Sequence, residues 1–432
     1  MAEGSPSDGL GGLADRVLEV GRDAGLVAMG ICDTEPFLEA RQELLDRRDA
    51  GLAGTMAFTY RNPERSTEPA RLLRNAASLV VGAMPYRQPR LADDGDTARS
   101  DGVTGAGDVA ASGQRGTLSL QARVARYATD DYYAVLRAAL ERVADELRRA
   151  GFRAHIVADD NALVDRAAAV RAGLGWIGRN TGLITPEAGG EVVLGSVVSD
   201  AVLPTTNRSV ADGCGSCRVC EPACPTGALD DGRLDARKCL AWLVQAPGDF
   251  PREHRQALGD RLYGCDECTV VCPPSRLASR RLGDLPHGER PGPTVDVLEV
   301  LRLDDETLLE RYGRWYLPGR DPNALRRNAL VILGNTGDGF DGATAAVLER
   351  YLADESQLLA GHAAWAALAL GLVARGAGVR SRRAGHRGAG VGAAARRRAG
   401  AVDAGQPARD HPDLVRAGRR RRCRRRQPGL GV

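Results

Sequence analysis

The feature that most constrains this chain is a run of cysteines. Cys214-Gly-Ser-Cys217-Arg-Val-Cys220-Glu-Pro-Ala-Cys224-Pro225 has the spacing C-x2-C-x2-C-x3-C-P. In that pattern three thiolates grip one [4Fe–4S] cube, and the fourth crosses to a second cube. Cys239 and then Cys265-x2-Cys268-x3-Cys272-Pro273 supply the other half, so eight thiolates are available where two cubes need eight. The pseudo-symmetry of the halves assigns Cys214, Cys217, Cys220 and Cys272 to one cluster, and Cys224, Cys239, Cys265 and Cys268 to the other. Structural zinc also uses C-x2-C pairs, but it takes four ligands, and a third cysteine at the same spacing is redundant for it. Around these residues the texture changes to short segments bounded by Cys, Pro and Gly, which reads as a metal-organised domain over 206–280. Paired cubes serve as an electron relay, and a relay needs a terminus.

The terminus has to lie in the rest of the 432 residues, a length that suggests two or three domains. Apolar residues are 43% and charged residues 27%, ordinary for a globular chain, and no apolar run reaches the roughly 18 residues of a membrane span. The first thirty residues lack a basic stretch followed by an apolar one, so a cytoplasmic, reducing location is expected, where clustered cysteines bind metal in preference to forming disulfides. Helical periodicity at Leu13, Val17 and Leu18, and again from Val135 to Leu147 with an Asp130 or Asp131 cap, alternates with apolar runs at 27–31, 78–83, 152–157 and 191–198. Strands alternating with helices predict an α/β domain over 1–205. From 281 to 372, paired helices at Ala324–Leu333, Ala345–Leu352 and Ala363–Leu370 suggest a HEAT-like α-helical region. Residues 90–116 read as a flexible loop. After residue 372 there are 17 Arg against Asp403, Asp410 and Asp413, and with a net charge of +3 overall the preceding body is acidic. Residues 373–432 lack apolar periodicity and are expected to form a disordered basic tail, either an RNA-gripping arm or the product of a shifted reading frame.

Combined with further blocks, the cysteine region resembles the epoxyqueuosine reductases, cobalamin-dependent iron–sulfur enzymes of queuosine synthesis in tRNA. The resemblance covers about residues 10–371. It rests on Ala236-Arg-Lys-Cys239-Leu-Ala-Trp242-Leu, Tyr263-Gly-Cys265-Asp-Glu-Cys268-Thr-Val-Val-Cys272-Pro, Gly54-Thr-Met56-Ala-Phe58 with Arg61 and Arg65, Ala125-Arg126-Tyr127, and Asp159 to Arg166 running into Ala172-Gly-Leu-Gly-Trp176-Ile-Gly-Arg-Asn180. The family usually has His at Tyr133, Pro at Ala162, Glu at Asp165 and Lys at Arg179, and none of these departures removes a presumed catalytic group.

What the resemblance implies is an α/β cobalamin-binding domain, a bacterial ferredoxin-like domain with two [4Fe–4S] clusters, and a HEAT-like region that binds tRNA. The reaction would remove the epoxide oxygen of a wobble nucleoside, with electrons from an external low-potential donor. Asp159 would protonate the departing oxygen; read alone it is a strand-end or cap carboxylate, with Asp160 and Asp165 as competitors and Asp165 better suited to partner an Arg. Cobalamin would meet Asp159, Arg65 and, along the strands after the Gly-rich stretch 175–182, Leu183 and Leu194. A monomer without membrane attachment is expected. The alternative is a cobalamin and iron–sulfur reductase of a small substrate such as an organohalide.

Overall fold

The computed structural model describes residues 6–86, 120–206, 208–282 and 293–372; the expected loop at 90–116 falls in the gap between the first two segments, and the basic tail at 373–432 likewise lies outside the described residues. In the first 205 residues the longer helices are α1 (Pro6–Asp23), α2 (Leu38–Asp49), α3 (Tyr132–Arg149) and α4 (Asp165–Arg171). The strands are β1 (Ala28–Asp33), β2 (Ser78–Pro85), β3 (Gln121–Val124), β4 (Ala154–Ala158), β5 (Trp176–Ile177), β6 (Leu183–Ile184) and β7 (Val192–Ser199). Helix α3 starts where the Asp131 carboxylate accepts the Ala134 N–H at 2.9 Å, and it stops at Gly151, whose φ of 91° no β-carbon tolerates well. Between these signals Leu136, Leu140, Val143 and Leu147 recur on one face and are fully buried, each contributing about 2 kcal/mol of burial.

The main sheet has the order β1-β2-β7-β4. Strands alternate with helices along the chain as expected for an α/β domain, and every neighbouring pair in the sheet is antiparallel. Strands β2 and β4 do run the same way, with α3 between them in the chain, but β7 inserts between them and opposes both. Helices α1 and α3 cover one face over Ile31, Val80 and Val197, while α2 and α4 cover the other over Leu79, Val81 and Val198. Burial on both faces makes β2 and β7 continuously apolar, so their sequence carries no mark of strand direction.

Beyond this sheet come the short helix α5 (Leu240–Leu243), strand β8 (Arg261–Tyr263), α6 (Pro273–Leu282), strand β9 (Thr294–Asp296), and the helices α7 (Asn323–Thr336), α8 (Gly342–Leu352) and α9 (Gln357–Ala369). Strand β3 leaves the main sheet and lies between β8, parallel, and β9, antiparallel. One small sheet thus takes a strand from each of the three regions marked out by sequence, and a single apolar core runs from Ala122 through Leu262 to Ala367. No helix among the described residues is long and apolar enough to cross a membrane.

Arg327 of α7 fastens the helical region to the cysteine region. It is 1% exposed, and its guanidinium donates to the carbonyls of Leu243, Val244, Ala246 and Gly248, which follow Cys239. The adjacent Asn328 amide donates to Val244 and to Leu262, three residues before Cys265. Burial pushes the Arg327 pKa down to about 10, with Asp249 opposing the shift. His362 is held neutral: burial and the Arg255 charge push its pKa to about 3, its Nε2 accepts the Phe250 N–H, and its Nδ1 faces the Leu358 carbonyl at 2.7 Å. Replacing Arg327 by Met takes the donors from the Leu243, Ala246 and Gly248 carbonyls, leaves Val244 only its bond from Asn328, and is expected to destabilise the fold by roughly 3 kcal/mol, read as a lower urea midpoint; an unchanged midpoint contradicts this role.

Candidate functional site

The nine described cysteines are all free. Cys220 has Cys214 and Cys272 as electrostatic neighbours, and Cys272 has Cys214 and Cys217. Cys268 instead neighbours Cys265, Cys239 and Cys224. The structure therefore brings Cys214, Cys217, Cys220 and Cys272 together at one place, and Cys224, Cys239, Cys265 and Cys268 at another. Burial pushes the Cys220 thiol up to about 11 and Cys265 up to about 12, so a metal held there would displace their protons. At Cys224 burial works upward, but N–H donors from Thr226 and Ala228 outweigh it and hold the thiol below its ordinary value; the Ala228 N–H lies 3.2 Å from the sulfur. No three described His, Cys, Asp or Glu side chains converge as a single metal ion requires. A four-iron cube is wider than one ion, and its ligands need not meet at a point.

Asp159 stands at the C-terminal end of β4 with φ 54°, left-handed backbone that Asp tolerates better than most residues. Its neighbours are pinned. Arg137 of α3 donates to the Ala158 carbonyl, Asp160 accepts the Ala162 N–H at 2.9 Å, and the Ser66 hydroxyl donates to the Asn161 carbonyl at 2.5 Å. Asp159 is exposed as a residue, with its carboxyl partly sheltered, and that carboxylate makes no hydrogen bond or ion pair among the described residues. Partial burial of the carboxyl raises its pKa, Arg137 pulls the other way, and Asp160 adds to the rise. The Tyr133 phenol is held protonated by burial and by the charges of Asp159 and Asp165.

Asp165 departs from its expected part as partner of an Arg. Burial and the Asp159 charge push its carboxyl far up, and its Oδ1 is buried without a hydrogen-bond partner. Arg166 lowers that pKa electrostatically but spends its Nη1 on the Thr181 carbonyl at 2.7 Å.

Thr181 belongs to the hairpin of β5 and β6, which the Gly-rich stretch builds. A β-carbon on Gly175 would sit 2.0 Å from the Ile184 carbonyl oxygen, so only glycine allows the two arms this close. In the turn, Asn180 accepts the Gly182 N–H at 3.1 Å and donates to the Cys268 carbonyl at 3.5 Å. Arg179 donates to the Gly215 carbonyl at 3.3 Å. The hairpin thereby touches both cysteine runs, and the indole N–H of Trp176 and the Nε of Arg179 are buried without partners.

The remaining expected residues lie at different depths. Arg65 is exposed and lines a concavity of about 210 Å³ with Phe58, Arg61, Asn62, Ser66 and Asn161. Leu183 and Leu194 are 3% and 8% exposed and pack into the apolar core beneath α2 and α4. Sequence reading overlooked Arg137, four residues after Tyr133 and hence on the same side of α3; a charged residue bordering the apolar stripe was the available signal.

A family model described as a 4Fe-4S double cluster binding domain matches residues 213–275. The epoxyqueuosine reductase of Bacillus anthracis is 30% identical over 359 residues, covering 82% of this chain and 88% of that protein. That of Pseudomonas aeruginosa is 31% identical over 370 residues, covering 82% and 93%. Among solved structures, an epoxyqueuosine reductase bound to an epoxyqueuosine-modified tRNA-Tyr stem loop superposes with a TM-score of 0.72 at 26% identity, covering 91% of this chain and 99% of that one. The Bacillus subtilis enzyme, in a form with its aspartate-bearing catalytic loop swung out of the active site, superposes at 0.71 and 25% identity, covering 90% and 98%. A double-cluster cysteine region joined to a carboxylate-bearing site in one fold, and this likeness over most of the length of the relatives, place the chain in the epoxyqueuosine reductase family of oxidoreductases.

Proposed function

We propose that this chain reduces epoxyqueuosine to queuosine at the wobble position of tRNA, using cobalamin and two [4Fe–4S] clusters. The observation that carries the reading is the hairpin of β5 and β6, which meets Cys268 through Asn180 and, through Arg166, the first turn of α4 that directly follows the Asp159 loop. It joins an electron path to an acid. The two sets of four thiols fit two cubes. The close approach allowed by Gly175 and the unpartnered Trp176 and Arg179 nitrogens fit a large ligand rich in amides. When bound, cobalamin supplies a low-potential cobalt that can pass electron density to the epoxide.

The chain's own residues do the rest. Two C–O bonds break, a C=C bond forms, and two electrons and two protons leave the oxygen as water. Asp159, its pKa raised by partial burial, holds a proton for the departing oxygen. Arg65 offers a planar donor to amide or phosphate groups at the mouth, and Leu183 and Leu194 back the hairpin from the core. Support for the RNA substrate comes from the stem loop bound by a structural neighbour. In this reading residues 1–205 form the catalytic part, 206–280 the ferredoxin-like part and 281–372 the part that receives RNA.

The test is anaerobic purification followed by incubation with a chemical reductant and an epoxyqueuosine-bearing stem loop. A broad iron–sulfur absorption, a cobalamin band and appearance of queuosine in the digested RNA are expected. A chain that neither retains cobalamin nor removes the epoxide oxygen overturns the proposal.

A further inference from the structure

Resting on the two-cluster reading above, we infer that the outward face of α6 is the docking site of a small acidic electron-transfer protein. The inner face of this helix is committed to the fold. Ser275 and Ala278 are buried, Ser275 accepts the Gly190 N–H at 2.9 Å, and Ser279 donates to Glu191, itself paired with Arg126 at 2.7 Å. The outer face carries Pro273, Arg276, Leu277 and Arg280, at spacings of three and four that put them side by side. Together with Val219 and Val271 they line an open concavity of about 500 Å³. Leu277 is 48% and Val219 43% exposed, an apolar centre that a solvated face does not require.

Two further observations say what covers it. Val219 directly precedes Cys220 and Val271 directly precedes Cys272, so the concavity lies against the cluster of Cys214, Cys217, Cys220 and Cys272. That cluster has an open ligand loop: residues 211–213, 215, 216, 218 and 219 are exposed. The charges at its border are also uncompensated. Arg276 and Arg280 make no ion pair among the described residues, while the nearby Arg218 is taken up by Glu221 at 3.1 Å and Asp231 at 2.8 Å. A basic, partly apolar face on an acidic body repels an acidic partner elsewhere and steers it here. Each encounter moves one electron: the donor is oxidised by one electron, the adjacent cube is reduced by one, and two encounters supply one turnover.

The experiment is anaerobic stopped-flow reduction of the cluster-loaded chain by reduced flavodoxin, a small acidic flavoprotein, compared with photoreduced deazaflavin, which needs no docking face. For the Arg276→Glu/Arg280→Glu chain, reduction by flavodoxin is expected to slow about tenfold or more at low salt, with the gap closing as salt rises. Its iron content and its reduction by deazaflavin should match those of the native chain. Equal flavodoxin rates in the two chains overturn the docking face, as does a native chain that deazaflavin reduces and flavodoxin does not. A native chain that deazaflavin cannot reduce overturns the cluster reading, and the docking face with it.

Discussion

Turnover of an Asp159→Asn chain is expected to fall by roughly 10²-fold or more, the usual scale for losing a general acid. The substitution keeps the side chain's shape and removes its proton, and nothing among the described residues bonds to that carboxylate, so the fold and both cofactor loads should stay as they are. In the native chain the acid must be protonated to act. With its pKa raised, its working fraction is full below that pKa and is lost as pH rises through it, which gives activity a falling alkaline limb. The Asn chain should lose that limb along with the rate. Native-like turnover of this variant, measured as queuosine formed from an epoxyqueuosine stem loop, would return the role to Asp160 or Asp165.

Replacing Cys239 by Ala is expected to stop electron delivery outright. Cys239 sits just before α5 with the N–H groups of Ala241 and Trp242 directed at its sulfur, and Arg327 clamps the carbonyls at the far end of that helical turn. The cube it shares with Cys224, Cys265 and Cys268 loses a ligand from a fixed frame that offers no substitute. Iron should fall from about eight to about four atoms per chain, with one cube still visible by EPR. A native chain that holds stoichiometric zinc and almost no iron ends the redox reading altogether.

Much of the candidate site was legible because its signals are local. The spacing of Cys214, Cys217 and Cys220 is itself the geometry that wraps a cube, and α3 starts at Asp131, one of the two expected caps. Asp159 was picked out by the motif around it. Its left-handed backbone and its partly sheltered carboxylate, unbonded among the described residues, came only with the structure. For Leu183 and Leu194, apolar character fits a ligand contact and a core position equally, and only packing places them in the core. Asp165 shows the same ambiguity in charge, since Arg166 next to it in sequence turns to Thr181 instead.

By itself the sequence determined eight thiols at double-cluster spacing and the principal helices and strands, since each follows from residue types at short, fixed spacing. The tertiary structure alone decided how the strands pair: β7 lies antiparallel between β2 and β4, and β3 joins β8 and β9 from two other regions. It also decided that Arg327 holds the segment after Cys239 from more than 80 residues further along the chain. The physical reason is common to these cases. A strand buried on both faces is apolar whichever way its neighbour runs, and a buried guanidinium is bound by backbone carbonyls, which every residue possesses and no sequence pattern marks.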